Sequence, residues 1–425
     1  MSNADPKIQA RSEKRILQIT ANPFPPEIRV LKEAISLARA GFQSAVLCPP
    51  VRDRPENELW RGVQIFRPAS LAASAKKWDK LVHQSAFFSL AWYRAIREVI
   101  AQHRPHAIHI HDIWLGRTAF WARGREQKVV LDLHENMPAA VVEYLKGYRG
   151  LFKWFNAVFK NRWRVMAYER ALLGQSDRVF VVVEEARQRV LENHPGLSAD
   201  KVVNIENLES KEFLQSISVS TPATKSNQFS ILYIGGFGPH RGLDTLVKAM
   251  KHVKEWKLNI RVSLVGARGG GEYLRMLLEL IRNLDLESHV EVVDWVPAEQ
   301  VLERIQQATI GTVPHHANPH TDNTIPHKLY QYMIAATPVL VSTSAPLART
   351  VQAAKAGLIF AAGEELDCAR KIRQLFESPE KLKEFGSNGF RYVMEDGHNW
   401  EDESAPVLVE AYDRLLECSA GAGAK

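Results

Sequence analysis

The chain contains 425 residues, of which 45% are hydrophobic and 24% charged, and its formal net charge is +7. A chain of this length is too long to fold around one ordinary hydrophobic core, which predicts two domains of roughly 200 residues each. No apolar run approaches the ~18 residues of a membrane span. The composition is therefore typical of a globular protein rather than of one with membrane-spanning helices.

Cysteine usage and the N-terminus predict a compartment. Cys48, Cys368 and Cys418 are isolated and odd in number, which favours a reducing environment over disulfides or a cysteine-based metal site. Residues 1–15 lack the apolar region of a secretory signal. We therefore predict a cytoplasmic protein.

The positive charge is confined to the first half of the chain. Residues 1–210 contain 32 Lys and Arg against 22 Asp and Glu, whereas the remainder is slightly acidic. A basic half suits nucleic acid, anionic lipid or phosphorylated substrates, and net charge alone does not choose among them.

In residues 1–216, predicted strands and helices alternate as in a Rossmann-like domain. A buried strand precedes a helix whose apolar residues Ile28, Leu31 and Ile35 share one face, and Gly41 ends that helix. The predicted strands are residues 15–20, 44–48, 107–111, 128–134, 178–183 and 201–207. Six strands with helices between them predict a doubly wound α/β sheet.

Histidines and acids gather at two of these strand ends. His111 and Asp112 end one strand, and His134 ends the next. Because carboxyl ends of parallel strands face the ligand crevice, this cluster is a candidate for chemistry. His109 shares a strand face with His111, and a structural role and a chemical role stay equally open for it.

A second series of elements follows a polar, Pro-containing linker at residues 217–227. Its predicted strands are residues 229–235, 261–266, 289–296, 309–314, 338–343 and 357–361. A second Rossmann-like domain therefore spans residues 228–398. Residues 399–425 form a third segment, in which apolar residues recur at helical spacing between Trp400 and Cys418.

Two stretches of the second domain predict an anion site. Gly236 and Gly238 permit close approach of the backbone to a phosphate, and Arg241 follows them as a forked cation. Further on, a helix is predicted over residues 326–336. Asn323 or Thr324 is expected to cap it, with Pro326 in its first turn and Lys328 one turn from Gln331.

The second of these stretches, NTIPHKLYQYMIAATPVLVS, resembles the donor-binding motif of retaining family-4 glycosyltransferases, typically EGFPNKLLEYMACGKPVVAT. The two motif glutamates fall at Asn323 and Gln331, so both carboxylates are carboxamides here. Three other phrases match the family: RVLKEA near the start, LDLHENMP around His134, and Arg241-Gly242 in place of a Lys-Gly. Gly236 stands where relatives carry an arginine.

The resemblance covers nearly the whole chain and implies the GT-B fold, with two Rossmann-like domains facing a cleft and a C-terminal helix crossing back onto the first domain. It implies that His134 contacts the transferred sugar and acts in catalysis, and that Arg29, His111 and Asp112 lie on the acceptor side. The loop at residues 267–272 matches where relatives contact the base. The donor-binding residues implied are Gly236, Gly238, Arg241, Asn323, Thr324, Ile325, Lys328 and Gln331.

The function implied is transfer of a hexose from a nucleoside-diphosphate sugar to a hydroxyl acceptor, with retention of configuration and without a cofactor. The acceptor expected is a lipid-linked or polysaccharide glycan of the bacterial cell surface, and no nucleic acid is expected as a partner. Two alternatives stay open: a catalytically inactive GT-B partner protein, because both motif glutamates are replaced, and a dehydrogenase, which the absence of a GxGxxG motif disfavours.

No metal site is predicted. His315, His316, His320 and His327 crowd one loop, but no HExxH, CxxC or Asp-x-Asp motif accompanies them.

One basic aromatic segment suggests an anionic membrane surface as a partner. Residues 146–170 hold seven Lys or Arg against one acid, interleaved with seven aromatic residues. Read as one helix, they place Phe152, Phe155, Phe159 and Trp163 on a single face. An interfacial helix, peripheral on the inner face of the membrane, and a helix packed on the core fit this pattern equally well.

Overall fold

The computed structural model describes residues 6–25, 27–72, 77–146, 150–216, 228–267 and 271–417. The predicted linker at 217–227 and most of the loop at 267–272 lie outside these residues. The chain divides into two compact units. The first comprises Met1–Val141, Trp154–Glu206 and Ser404–Lys425, and the second comprises Val142–Lys153 and Asn207–Glu403.

An eight-stranded sheet organises the first unit. Its strands are β1 (Arg15–Ile19), β2 (Gln43–Leu47), β3 (Asn57–Trp60), β4 (Val63–Phe66), β5 (Ala107–His111), β6 (Lys128–Leu133), β7 (Arg178–Val181) and β8 (Val202–Asn204). Their order is β3-β4-β2-β1-β5-β6-β7-β8, and only the β3–β4 pair is antiparallel. All six predicted strands are confirmed.

The hairpin of β3 and β4 is an addition to the predicted sheet. Its strands are joined by Arg61 and Gly62, which both have positive φ, at 50° and 81°. Such a two-residue turn is normally announced by Asn-Gly or Gly-Gly. An arginine in the first position gives no turn signal, and four-residue strands show little alternation.

The helices that follow these strands are α1 (Pro6–Ser12), α2 (Ile28–Arg39), α3 (Lys77–Ala86), α4 (Leu90–His103), α5 (Gly116–Ala122), α6 (Met137–Leu145), α7 (Gly150–Phe159), α8 (Arg162–Gln175) and α9 (Glu184–Asn193). α2 ends as predicted, with Gly41 in the left-handed region at φ 103°. The single helix predicted over residues 146–170 is wrong. The helix is interrupted before Asn161, and the Asn161 side chain caps α8 by accepting from the Arg164 N–H at 3.0 Å.

The second unit contains a six-stranded parallel sheet. Its strands are β9 (Phe229–Ile234), β10 (Ile260–Ala267), β11 (Val290–Asp294), β12 (Ile310–Val313), β13 (Val339–Ser342) and β14 (Gly357–Phe360), in the order β11-β10-β9-β12-β13-β14. Its helices are α10 (Leu243–Glu255), α11 (Glu272–Asn283), α12 (Val301–Gln307), α13 (His327–Ile334), α14 (Ala345–Ala354), α15 (Glu365–Phe376) and α16 (Pro379–Met394). The six predicted strands are all confirmed.

Each sheet reverses its strand order once. The reversal lies at β1, which pairs with β2 and β5, and at β9, which pairs with β10 and β12. Doubly wound folds bind ligands at the carboxyl ends of the strands at such a switch point. Both reversals therefore place a candidate site.

The chain ends in a π-helical turn, Trp400–Ser404, followed by α17 (Ala405–Glu417). α17 packs against α2 in the first unit. The Arg11 Nε of α1 also donates to Asp413 of α17 at 2.9 Å. Within the described part of the chain, no helix is both long and apolar enough to cross a membrane.

Candidate functional site

Two glycines of the second unit are required by close packing at the β9 switch point. Gly235 follows β9 with φ 136°, and a Cβ there would lie 2.6 Å from the Lys328 Nζ. Gly242 has φ 64°, and a Cβ there would lie 1.9 Å from the Pro314 carbonyl oxygen. Of the two glycines predicted to contact the donor, Gly236 borders open space, since a Cβ there would meet no atom within 4 Å, whereas Gly238 lies against His240.

Lys328 is buried beside these glycines without a counter-charge. The side chain is 8% exposed, and its Nζ lies 3.7 Å from the centroid of the Tyr233 ring. Tyr233 is fixed in turn, because its hydroxyl donates to the Gly236 carbonyl at 2.8 Å. Burial and the nearby Arg241 hold the pKa of Lys328 well below its usual range. Among the residues that the structure describes, no carboxylate pairs with Lys328 or Arg241.

Histidines rather than acids complete this cationic group. Arg241 Nη1 lies 3.2 Å from the His315 Nε2, and burial together with Arg241 holds the pKa of His315 well below 6.5. The same two causes lower the pKa of His240 to about 2. Both ring nitrogens of His240 are buried and have no hydrogen-bond partner in the described structure. We call Arg241, Lys328, His240 and His315 the cationic cluster.

The start of α13 differs from the prediction. Its N-cap is Pro326 rather than Asn323 or Thr324, and a proline cannot cap through its side chain. Asn323 lies in a 3-10 turn, where its Nδ2 donates to the Pro319 carbonyl at 2.9 Å. Pro326 is not in the first turn as predicted, because its backbone is extended, with φ −81° and ψ 140°, and the helix begins at His327.

A segment before the predicted linker supplies the partners of α13. The Asn207 Nδ2 donates to the Ile325 carbonyl at 3.2 Å, and the Gln331 Nε2 donates to the Glu209 Oε2 at 2.8 Å. Glu209 and Gln331 are both buried. Sequence reasoning missed Glu209, because nothing in its local sequence indicates that it lies against α13.

An open cavity of about 540 Å³ lies beside the cationic cluster. Its lining includes Pro239 and His316 at one side and Glu272 and Tyr273, at the start of α11, at the other. The His316 Nε2 lies 3.1 Å from an oxygen of Asp244, which also lines the cavity. Residues 268–270 of the loop predicted near the base lie outside the described structure.

In the first unit, the predicted residues at the ends of β5 and β6 do lie together. The His111 Nδ1 is 3.1 Å from the His134 Nε2, and the His134 N–H donates to the Asp112 Oδ1 at 3.3 Å. Asp132, which sequence reasoning missed, contacts the His134 Nε2 at 2.8 Å. Asp132 and His134 alternate on one strand face, and that spacing is the signal that could have found it.

Burial and these contacts shift the pKa values of the neighbouring ionisable groups. Burial opposes the charged form of His134, but Asp112 and Asp132 outweigh it and raise its pKa to about 9. Burial raises the pKa of Asp112 to about 6, against the attraction of His134. Burial and His109 hold the pKa of His111 well below 6.5. His134 is therefore a cation at neutral pH, and its side chain is 18% exposed.

Arg29, which is predicted on the acceptor side, is held by buried ion pairs. Its Nε and Nη2 each donate to Asp132 at 2.9 Å, and Nη1 donates to the Ile205 carbonyl at 3.0 Å. Nη2 also lies 3.1 Å from an oxygen of Glu33, one helical turn later. Arg29 is 3% exposed and its donors are engaged. We call Arg29, Glu33, Asp132 and His134 the balanced cluster.

His109 lies behind this cluster in a buried position. Its Nδ1 is 2.9 Å from the Tyr412 hydroxyl of α17, and its ring stacks on His111 at 4.3 Å between centroids. Ligand atoms of Glu33, His109, His111 and Asp132 lie within 4.8 Å of one another, which is close enough to hold a divalent cation. The guanidinium of Arg29 already contacts both carboxylates and competes for that position.

Comparisons with known proteins agree with this architecture. The family model described as Glycosyl transferase 4-like domain matches residues 26–207, and the model described as Glycosyl transferases group 1 matches residues 219–392. A search of curated protein sequences finds no match.

Solved structures resemble the chain over its whole length. Sucrose-phosphate synthase from Thermosynechococcus elongatus is 19% identical, with a TM-score of 0.77 over 95% of this chain and 100% of that chain. WaaG, a glycosyltransferase involved in lipopolysaccharide biosynthesis, is 13% identical, with a TM-score of 0.64 over 94% and 99%. Anabaena HepE in complex with UDP-glucose is 13% identical, with a TM-score of 0.63 over 96% and 99%. The two halves of the chain therefore match glycosyltransferase domains, and its fold is the GT-B fold of these solved structures.

Proposed function

We propose that this protein transfers a sugar from a nucleoside-diphosphate donor, and that the cationic cluster binds the diphosphate. The observation that carries the proposal is Lys328, a buried lysine without a carboxylate partner in the described structure, next to Arg241. An unpaired buried cation costs free energy unless an anion binds it. A diphosphate supplies two or three negative charges and acceptors for both side chains.

The same residues suit the departure of the diphosphate. Negative charge develops on the leaving oxygen as the bond to the sugar breaks, and fixed cations in a site that excludes water stabilise that charge. Lys328 and Arg241 supply these fixed positive charges from two different elements of the fold. The first turn of α13, whose N-cap Pro326 has no side chain able to cap it, adds backbone N–H donors. Such a group needs no metal ion, so we propose metal-independent transfer.

His134 is proposed to contact the transferred sugar. As a cation it donates hydrogen bonds, and Asp132 holds one of its nitrogens at 2.8 Å, so its partly exposed edge is turned to a fixed direction. His111 and Asp112 are proposed to lie on the acceptor side. We further propose a hydroxyl acceptor and retention of configuration, on the basis of the motif resemblance.

The acceptor is proposed to be a lipid-linked or polysaccharide glycan, with the protein cytoplasmic and peripheral on the membrane. WaaG supports this choice by the lipopolysaccharide biosynthesis named with it, whereas the UDP-glucose named with HepE supports the proposed donor. The surface around the α7–α8 break supports it physically. Trp154, Val158 and Trp163 are 65%, 41% and 70% exposed, and the Arg162 guanidinium lies 6.0 Å from the Trp163 ring.

This surface differs from the face predicted from a single helix. Phe155 and Phe159 are half-buried, and their ring centroids lie 4.6 Å apart. The Arg164 guanidinium donates to the Phe159 and Ser85 carbonyls. The side chains of Phe152 and Lys153 lie outside the described residues. Exposed indole rings beside a cation suit the headgroup region of an anionic bilayer.

Thermal unfolding with nucleoside diphosphates tests the donor site. We expect UDP or another nucleoside diphosphate to raise the melting temperature equally with EDTA and with magnesium, and Lys328→Ala to abolish the shift. Lys381→Ala, an exposed lysine on α16, is the matched control. A shift that requires magnesium contradicts the proposal. Turnover of the nucleotide sugar then separates the enzyme from an inactive GT-B partner, which the two carboxamides of the motif keep as the second candidate.

A further inference from the structure

The carboxamide of Gln331 is held in one orientation by a carboxylate from another segment. Its Nε2 donates to the Glu209 Oε2 at 2.8 Å, and the two side chains are 9% and 4% exposed. An amide carries its donor and its acceptor on opposite sides. Because the donor side contacts Glu209, the Oε1 of Gln331 points away from it as an acceptor, and the bond to a charged group polarises that oxygen.

Glu209 is fixed by its own backbone rather than by a cation. Its Oε1 accepts from the Ser210 N–H at 2.9 Å, and its carbonyl accepts from the Trp400 N–H at 2.9 Å. The next residue but one, Lys211, donates its N–H to Glu401 at 2.9 Å. No cation of the described residues forms an ion pair with Glu209. It is therefore a buried carboxylate with unused acceptor capacity and a fixed position.

A second unpartnered acceptor lies in the same segment. The Oδ1 of Asn207 is buried and has no hydrogen-bond partner among the described residues, while its Nδ2 bonds to Ile325 just before α13. Acceptors without donors in a buried position point to a ligand that brings O–H groups. Gln331 lies one turn from Lys328, about 4.5 Å along the helix axis. The motif resemblance implies that the residue at position 331 contacts the ribose of the donor.

We propose that Glu209 is a specificity-determining residue that positions Gln331 and adds a charged acceptor beside it for the vicinal hydroxyls of the donor's ribose, which the motif resemblance places at Gln331. The proposal rests on the proposed donor function. Rossmann-like folds commonly bind ribose hydroxyls through a carboxylate, because a carboxylate only accepts. Here the negative charge beside α13 belongs to Glu209, which lies outside the helix, rather than to a residue of the helix itself.

This arrangement reverses the expected effect of a simple substitution. Gln331→Glu looks from the sequence like a restoration of the family motif. In the structure it replaces the donor at 2.8 Å from Glu209 by a second buried carboxylate. Two carboxylates at that distance cannot both ionise, so the change is expected to weaken nucleotide binding.

The test compares a ribonucleoside diphosphate with its 2′-deoxy form, UDP against dUDP, or GDP against dGDP if the guanine nucleotide binds better. Calorimetry is expected to give wild-type protein a preference of roughly fivefold for the ribonucleotide, which corresponds to about one hydrogen bond. Glu209→Gln and Gln331→Glu are each expected to reduce that ratio to near one. The double variant Glu209→Gln with Gln331→Glu, which exchanges carboxylate and amide, is expected to restore it.

Glu384→Gln, an exposed glutamate on α16, serves as the control and should keep the wild-type ratio. Failure of every nucleoside diphosphate to bind wild-type protein contradicts the proposed donor function itself. Binding with a ratio that Glu209→Gln leaves unchanged overturns only the assignment of Glu209. If a single variant does not fold, the double variant decides, because it keeps one carboxylate and one amide, and loss of the ratio there overturns the proposal.

Discussion

The two clusters of buried ionisable groups are built on opposite plans. In the balanced cluster of the first unit, Arg29 contacts Asp132 and Glu33, and His134 contacts Asp132. In the cationic cluster of the second unit, Lys328 contacts the Tyr233 ring and Arg241 contacts His315, and no carboxylate of the described residues pairs with either cation. The cations of the first cluster therefore have their counter-charges within the fold. Those of the second cluster have none among the described residues, which is why we propose that an anionic ligand supplies it.

The largest expected effect comes from removing one buried cation from each cluster. Arg29→Met leaves Asp132 and Glu33 buried without their partner, which we expect to cost about 3–5 kcal/mol of unfolding free energy. Lys328→Met removes a buried amine that has no carboxylate partner among the described residues, so the stability of the free protein should stay unchanged or rise. Urea unfolding of both variants without nucleotide measures the difference. Equal losses would mean that the clusters do not differ as described.

Raising the pH should weaken the balanced cluster through His134. Its folded pKa of about 9 lies above the ordinary value of 6.5, so its stabilisation is complete below pH 6.5 and is lost as the pH rises through 9. Between pH 7 and 10 the wild-type protein should lose about 2 kcal/mol more than His134→Gln, allowing for partial exposure. Asp112, with a pKa of about 6, is ionised throughout this range and does not interfere. Parallel stability curves for the two proteins would contradict the assigned charge.

A third cation should strengthen the cationic cluster. Gly236 borders open space and lies where relatives carry an arginine, so Gly236→Arg can be accommodated. One charge-assisted hydrogen bond to a diphosphate contributes about 1.5 kcal/mol, or roughly tenfold in affinity. Calorimetry with UDP measures it, and Gly236→Gln, which fills the same space without charge, is the control. Equal affinities of the two variants would place the diphosphate elsewhere.

The smallest effect concerns the surface at the α7–α8 break. Arg162→Glu should weaken binding to vesicles containing phosphatidylglycerol by about 1–2 kcal/mol at low salt, because each basic residue near an anionic surface contributes about 1 kcal/mol. Trp163→Ser should weaken it as well, whereas Trp295→Ser, a similarly exposed tryptophan of the second unit, should not. Equal sedimentation with neutral and anionic vesicles would remove the membrane from the proposed function.

Local patterns predicted the elements well and the distant contacts poorly. Apolar runs located twelve of the strands, and alternation on β5 placed His109 and His111 on one face, as their stacked rings confirm. The cap of α13 was mispredicted, since proline leaves no side-chain signal that it acts as the N-cap. Glu209 and Tyr412 could not be found, because their partners Gln331 and His109 lie 122 and 303 positions away in the chain.

The burial of Lys328 also couples the proposed nucleotide binding to the protonation of this lysine. Burial and Arg241 lower the pKa of the lysine in the free protein, whereas a bound anion raises it again. At a pH between these two pKa values, the diphosphate therefore draws a proton from solvent as it binds, and the heat of binding depends on the ionisation enthalpy of the buffer. Affinity falls as the pH rises from the pKa of the free protein to that of the complex and levels off above it. Within that range, the site acquires its full positive charge only in the presence of the ion that it holds.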